Sequence, residues 1–226
     1  MSSLIEVRKV PKSTDPGLLL LYGAKKSGKT TKLGELDDCL VIDTEKGANF
    51  ISGSVASVSS LDQIRELAKE LLSQKFKYIA IDTINPVIEW LEQPVLVKYG
   101  AKYKDTYGSI GEIPHFAGWG DHRKSVQAFI DTFKSLCDCL ILIGHNKAAS
   151  AMNGIVEPET FEAQGKLKNL IMAQADAIGY VYRDDDSEKE DLKVSFKSGR
   201  ALEAGSRCAH LKGKVVDFNW SEIFLS

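Results

Sequence analysis

No apolar run in this sequence approaches the ~18 residues that cross a bilayer as a helix. The opening stretch MSSLIEVRKVPKSTD has no apolar centre of the kind that directs secretion. Cysteine is scarce. Cys39, Cys137, Cys139 and Cys208 are the only ones, and Cys137-Asp-Cys139 lacks the second pair that would complete a zinc site. Buried reduced thiols and a cytoplasmic location, with no membrane partner, are therefore expected. A surplus of one charge is also missing. Lysine and arginine total 29 against 31 acidic residues. No global basic field attracts nucleic acid, so any such contact must be local. Internal repeats and low-complexity linkers are absent too. The 226 residues, 43% of them apolar, read as one domain with ample core.

What is present begins with LLLLYGAKKSGKTT, residues 18–31. Gly23 to Thr30 fits G-x-x-x-x-G-K-[ST] at every fixed position. Leu18 to Tyr22 reads as a buried strand, and the residues after Gly28 open a helix, which is the context the motif requires. Gly23, Ala24, Lys25, Lys26, Ser27, Gly28, Lys29, Thr30 and Thr31 are thus expected to hold a nucleotide's phosphates. The glycines let backbone N–H groups turn inward. Lys29 would reach the β- and γ-phosphates, and the Thr30 hydroxyl would sit on Mg²⁺.

Further strands read as near-continuous apolar runs: CLVIDTE (39–45), YIAIDT (78–83), CLILIGH (139–145) and AIGYVYR (177–183). Leu61 to Leu72, Pro86 to Val97 and Ser125 to Leu136 have helical spacing. This alternation predicts an α/β fold with a mainly parallel sheet and helices on both faces. RDDDSEKED then reads as the tip of a C-terminal antiparallel hairpin with LKVSF, and VVDFNWSEIFLS as a tail packing back on the body. The expected division is an N-terminal arm (1–16), a core (17–183), and a hairpin with tail (184–226).

Ligands of such sheets sit beyond the carboxyl ends of the strands. There YIAIDT delivers Asp82, a carboxylate suited to support Mg²⁺. The next residue is Thr83, where many phosphate-loop ATPases place a glutamate. Glu45, from CLVIDTE, is the alternative carboxylate to polarise water for attack on the γ-phosphate. It could instead cap the following turn with Asp43, or pair with Lys46. His145 and Asn146 end the next strand, and His145 is either a γ-phosphate sensor or a structural histidine. A guanine-specific switch is not expected, because Ala149 replaces the aspartate of N-K-x-D and Asn85 the glycine of D-x-x-G.

GAKKSGKTT, LVIDTEKG, YIAIDT, LILIGHNK and QADAIGYVYR together resemble phage-encoded RecA-like ATPases. These are AAA-type phage nucleotide-binding proteins linked to single-strand annealing and recombination. The resemblance covers residues 17–183, with a looser echo in KSGRALEAGSR. It implies a RecA-like phosphate-loop core, ATP and Mg²⁺ as cofactors, and a role in phage DNA metabolism. By position, Lys29 and Thr30 hold phosphate and Mg²⁺, Glu45 activates water, Asp82 supports Mg²⁺ and His145 senses. A homo-oligomer is implied, with phage recombination or single-strand-binding proteins as partners and the host cytoplasm as location. Lys197, Arg200 or Arg207 would supply a cation to a neighbour's site, with Arg207 the first choice.

Two segments fall where RecA-like proteins present loops to DNA: 98–124 and 146–166. Lys98, Lys102, Tyr103, Lys104 and Lys147 are the candidate contacts with single-stranded DNA, through phosphates and base stacking. A lid or a partner surface is the alternative. Other classes remain open: a nucleoside or nucleotide kinase, whose arginine-rich lid is missing, and a nucleotide-dependent scaffold with little turnover.

Overall fold

The computed structural model describes residues 14–152, 155–157, 159–184 and 191–225. Most of the expected N-terminal arm, the hairpin tip and part of segment 146–166 lie outside them. Strand β1 (Leu18–Gly23) is buried at every position. Apolar side chains on both faces suit a strand covered on both sides, and β1 lies in mid-sheet. It leads to α1 (Lys29–Leu33), β2 (Cys39–Asp43), β3 (Ser54–Ser57), α2 (Leu61–Glu70) and β4 (Phe76–Asp82). Next come α3 (Ile84–Trp90), α4 (Gln93–Tyr103), α5 (Ala117–Lys134) and β5 (Cys137–Lys147). The short strands β6 (Ser150–Met152) and β7 (Ile155–Glu157) pair with each other, and β8 (Thr160–Phe161) returns to the end of β5. The chain finishes with α6 (Gly165–Gln174), β9 (Ala177–Arg183), β10 (Leu192–Ser195), β11 (Gly205–Ser206), β12 (Val215–Asp217) and α7 (Trp220–Ile223).

The main sheet runs β12-β10-β9-β1-β5-β4-β2-β3. From β3 to β9 its neighbours are parallel, while β10 and β12 join through antiparallel pairings. One face is covered by α2, α3, α5 and α6 through Ile64, Val87, Phe129, Phe133 and Ile171. The other is covered by Leu33 of α1 and by the C-terminal Phe218, Trp220, Ile223 and Phe224. The expected strands, the β9–β10 hairpin and the packed tail are all in place. The cysteines are free, and Cys137 alone is partly exposed. Burial pushes the Cys39 thiol up to about 12.

The structure corrects the sequence reading in three places. Pro86 to Val97 is not one helix, because Pro94 sits in the first turn of α4. Within a continuous helix its ring would press on the carbonyl four residues earlier and remove a hydrogen bond. The chain closes α3 with Leu91 N–H on the Val87 carbonyl (3.0 Å) and starts again. Segment 98–124 is not a loop. It contains the end of α4, short helical turns at 110–112 and 114–116, and the start of α5. Tyr99, Ile110 and Ile113 pack with Val95 and Leu96 into a core of their own. Segment 146–166 includes the β6–β7 ribbon, and β5 continues past His145 because β8 pairs with Asn146 and Lys147. Strand β3 and helix α6 were not expected. The residues of β3 are short, polar or exposed, and carry no apolar signal.

Candidate nucleotide site

Parallel register gathers the site at one edge of the sheet. Gly23 pairs with His145, Asp82 with Ile143, and Asp43 with Asp82. The loop after β1 turns at Gly28, whose φ of 105° is a left-handed value that a side chain would strain. The Lys29 ammonium is buried and folded over its own loop. It donates to the carbonyls of Gly23 (2.9 Å) and Ala24 (2.8 Å) and to the Ser27 hydroxyl (3.3 Å). Loss of water lowers its pKa to about 8, against the pull of the Asp82 and Glu45 carboxylates.

The Thr30 hydroxyl donates to Asp82 Oδ2 at 2.6 Å. Burial raises the Asp82 pKa, opposed by that hydrogen bond and by the Lys29 charge. A hydroxyl beside a carboxylate is the hard-oxygen donor set that suits Mg²⁺, so these residues fit the ion. The peptide from Asp82 to Thr83 is cis.

Asp43 and Glu45 divide their tasks. Asp43 is buried and caps the turn, with Oδ1 accepting from the N–H groups of Glu45 and Gly47 (3.1 Å each) and Oδ2 from that of Ala48 (3.0 Å). Glu45 is not a cap. Its Oε1 accepts from the Thr83 hydroxyl at 3.0 Å and from His145 Nε2 at 2.9 Å. No ion pair joins it to Lys46 among the described residues. His145 is held in turn, its N–H donating to Asn85 Oδ1 (3.2 Å) while Asn85 Nδ2 donates to the Glu162 carbonyl (2.8 Å). The Thr44 hydroxyl accepts from Thr83 N–H and donates to the Thr83 carbonyl, both at 2.8 Å. From the sequence, Thr83 and Asn85 carried meaning only as residues absent from other motifs. Their places here follow from which strands lie side by side.

Beside Glu45 opens a cavity of about 570 Å³, lined by Lys25, Glu45, Asn85, His145, Lys147 and Gln164 among others. Lys147 lines this cavity, whereas Lys98, Lys102 and Tyr103 lie on α4 and Lys104 caps its end. Of those, Lys98 is paired with Asp121 at 2.5 Å. Tyr103 is 37% exposed, and Lys102 Nζ lies 5.0 Å from its ring centre. Lys104 is exposed at the end of α4.

Arg207 is placed away from the site of its own chain. Its guanidinium donates to Asp176 Oδ1 (3.4 Å) and to the Ala173 carbonyl (2.7 Å). Asp176 also accepts from the N–H groups of Gly17 and Leu18, at 3.0 Å each. That is the amino edge of the sheet, opposite the phosphate loop. Lys197 and Arg200 are exposed between β10 and β11.

A phosphate loop leaving β1, a Thr–Asp pair beside it, and one strand inserted between β1 and β4 define a phosphate-loop nucleotide-binding protein with a mainly parallel α/β sheet. The chain belongs to the AAA domain family, whose sequence profile matches residues 17–208. Family and fold together support a nucleotide-binding ATPase. No curated protein matches the chain. Among solved structures it is similar to the RadB recombinase, at 15% identity and a TM-score of 0.48, over 93% of this chain and 90% of that one. Among the described residues, no helix is long and apolar enough to cross a membrane.

Proposed function

We propose that the protein binds MgATP and hydrolyses it, working as a homo-oligomer on single-stranded DNA in phage recombination or replication. The observation that carries hydrolysis is Glu45. Its carboxylate is aimed by the Thr83 hydroxyl and the His145 imidazole, at the same strand edge as Thr30 and Asp82. Water held on Glu45 gives up a proton to the carboxylate as its oxygen bonds to the γ-phosphorus. The bond to the bridging oxygen breaks, and ADP leaves with the electron pair. Lys29 exchanges the Gly23 and Ala24 carbonyls for phosphate oxygens. Thr30, with Asp82 beside it, would hold Mg²⁺, which would supply charge neutralisation on the phosphates. His145 links the γ-phosphate to the strands that follow β5. Arg207 would serve only a neighbouring copy, and would first have to leave Asp176.

Glu45→Gln should bind MgATP about as well as wild type and turn it over ~10²-fold more slowly, the scale of losing a general base. Phosphate release and nucleotide affinity are measured together, and a wild-type rate in the variant would remove Glu45 from the mechanism. Asp43→Asn, by contrast, should act on stability. The cavity beside Glu45 has the size of a small-molecule site, which favours the kinase as second reading. A nucleoside panel in the same assay separates the two, since a kinase would phosphorylate a nucleoside and release no phosphate. The DNA reading rests on Lys102, Tyr103 and Lys104, close together at the end of α4. Removing both lysines should lessen the salt dependence of single-strand binding. Absence of binding at low salt with nucleotide present would defeat this part.

A further inference from the structure

The strand-end groups assigned to the reacting phosphate lie on one side of β1. His145 is on β5, Asp82 ends β4 and Glu45 follows β2, in the spatial order β1-β5-β4-β2. A terminal phosphate at Glu45 points that way. The rest of the nucleotide then lies back across the loop, toward β9.

Strand β9 presents a cation there. Parallel pairing sets Gly23 against Val181, so Tyr182 and Arg183 continue beside the phosphate loop. The return strand β10 sets Leu192 opposite Arg183. Both side chains meet the loop at Gly28. A Cβ built on that glycine would lie 3.2 Å from Leu192 Cδ2 and 3.7 Å from Arg183 Nη2. Arg183 is exposed, and Leu192 is partly buried. The neighbouring Asp184 carboxylate is engaged by Lys193 at 2.5 Å. Thus a guanidinium and an apolar side chain stand together against the turn of the loop, on the side opposite Glu45.

We propose that Arg183 and Leu192 form the nucleoside-side wall of the site, with the Arg183 guanidinium binding the α-phosphate and Leu192 packing against ribose and base. A guanidinium fork matches phosphate oxygens two at a time, which an ammonium cannot do. The inference rests on reading the loop as a nucleotide site, and adds what holds the end of the nucleotide that does not react. The α-phosphate is common to substrate and product, so Arg183 serves both alike.

The test is calorimetric binding of ADP, a non-hydrolysable ATP analogue and inorganic tripolyphosphate. Arg183→Ala should weaken ADP and the ATP analogue by the same factor, about 10- to 100-fold, the range of a charge-assisted hydrogen bond. Arg183→Lys should recover part of the loss. Leu192→Ala should weaken ADP but leave tripolyphosphate unchanged. Unchanged ADP affinity in Arg183→Ala overturns the proposal. So does a loss confined to the ATP analogue, which would place the guanidinium on the γ-phosphate. A wild-type chain that binds no nucleotide would remove the underlying reading itself.

Discussion

Lys29 is a cation kept from water and answered, within its own loop, only by carbonyls and a hydroxyl. This has two consequences with pH. Between the folded pKa of about 8 and the ordinary value of 10.5, the folded chain holds fewer protons at this residue than the unfolded chain. Its contribution to stability therefore rises with pH across that window. Nucleotide binding acts in the opposite sense, because phosphate restores the charged form. Affinity should fall as pH rises above about 8, and binding in that range should take up a proton. Calorimetry in buffers of different ionisation enthalpy measures the uptake, and an affinity flat across the window would show that Lys29 does not meet phosphate as a cation. At this scale the sequence was legible where chemistry is local. Gly23 to Thr30 form a loop because neighbouring residues dictate it. The partners of Glu45 and the position of Arg207 were not legible, since they depend on which strand ends meet.

Among the elements, β8 decides the shape of the site's far side. Phe161 is fully buried, and its ring lies against Gly144 so closely that a Cβ there would fall 2.3 Å from Cε2. That contact brings Glu162 within reach of Asn85, and so fixes His145. Gly144→Ala should lower stability by about 1–3 kcal/mol, as overpacked cores do. It should also reduce turnover more than nucleotide affinity. A shifted denaturation midpoint with unchanged turnover would show that β8 supports the fold alone. The strands were readable because burial on both faces leaves unbroken apolar runs. The break before α4 was signalled by Pro94, a signal the helical spacing masked. Ile110 and Ile113 gave none, being single apolar residues that find each other only through the turns between them.

Over the whole molecule, the two faces of the sheet are closed by different means. One takes four helices, the other α1 and the last residues of the chain. The tail was readable as packed because VVDFNWSEIF is too apolar to leave in water. Trp220→Ala should cost about 3–5 kcal/mol, the scale of removing a large buried side chain. Chemical denaturation measures it, and a loss under about 1 kcal/mol, typical of a surface change, would mean that the tail is not part of the core.

The Trp220 indole N–H donates to the Lys32 carbonyl at 2.6 Å, one helical turn beyond Lys29. The fold has thereby wired a natural fluorophore to the helix expected to receive the phosphates. If phosphate draws Lys29 off its loop, an adjustment of α1 would change the indole's surroundings. Tryptophan emission should then shift on nucleotide addition, and Trp220→Phe should silence that signal while Trp90 and Trp119 still emit. An unaltered response in that variant would locate the optical change elsewhere.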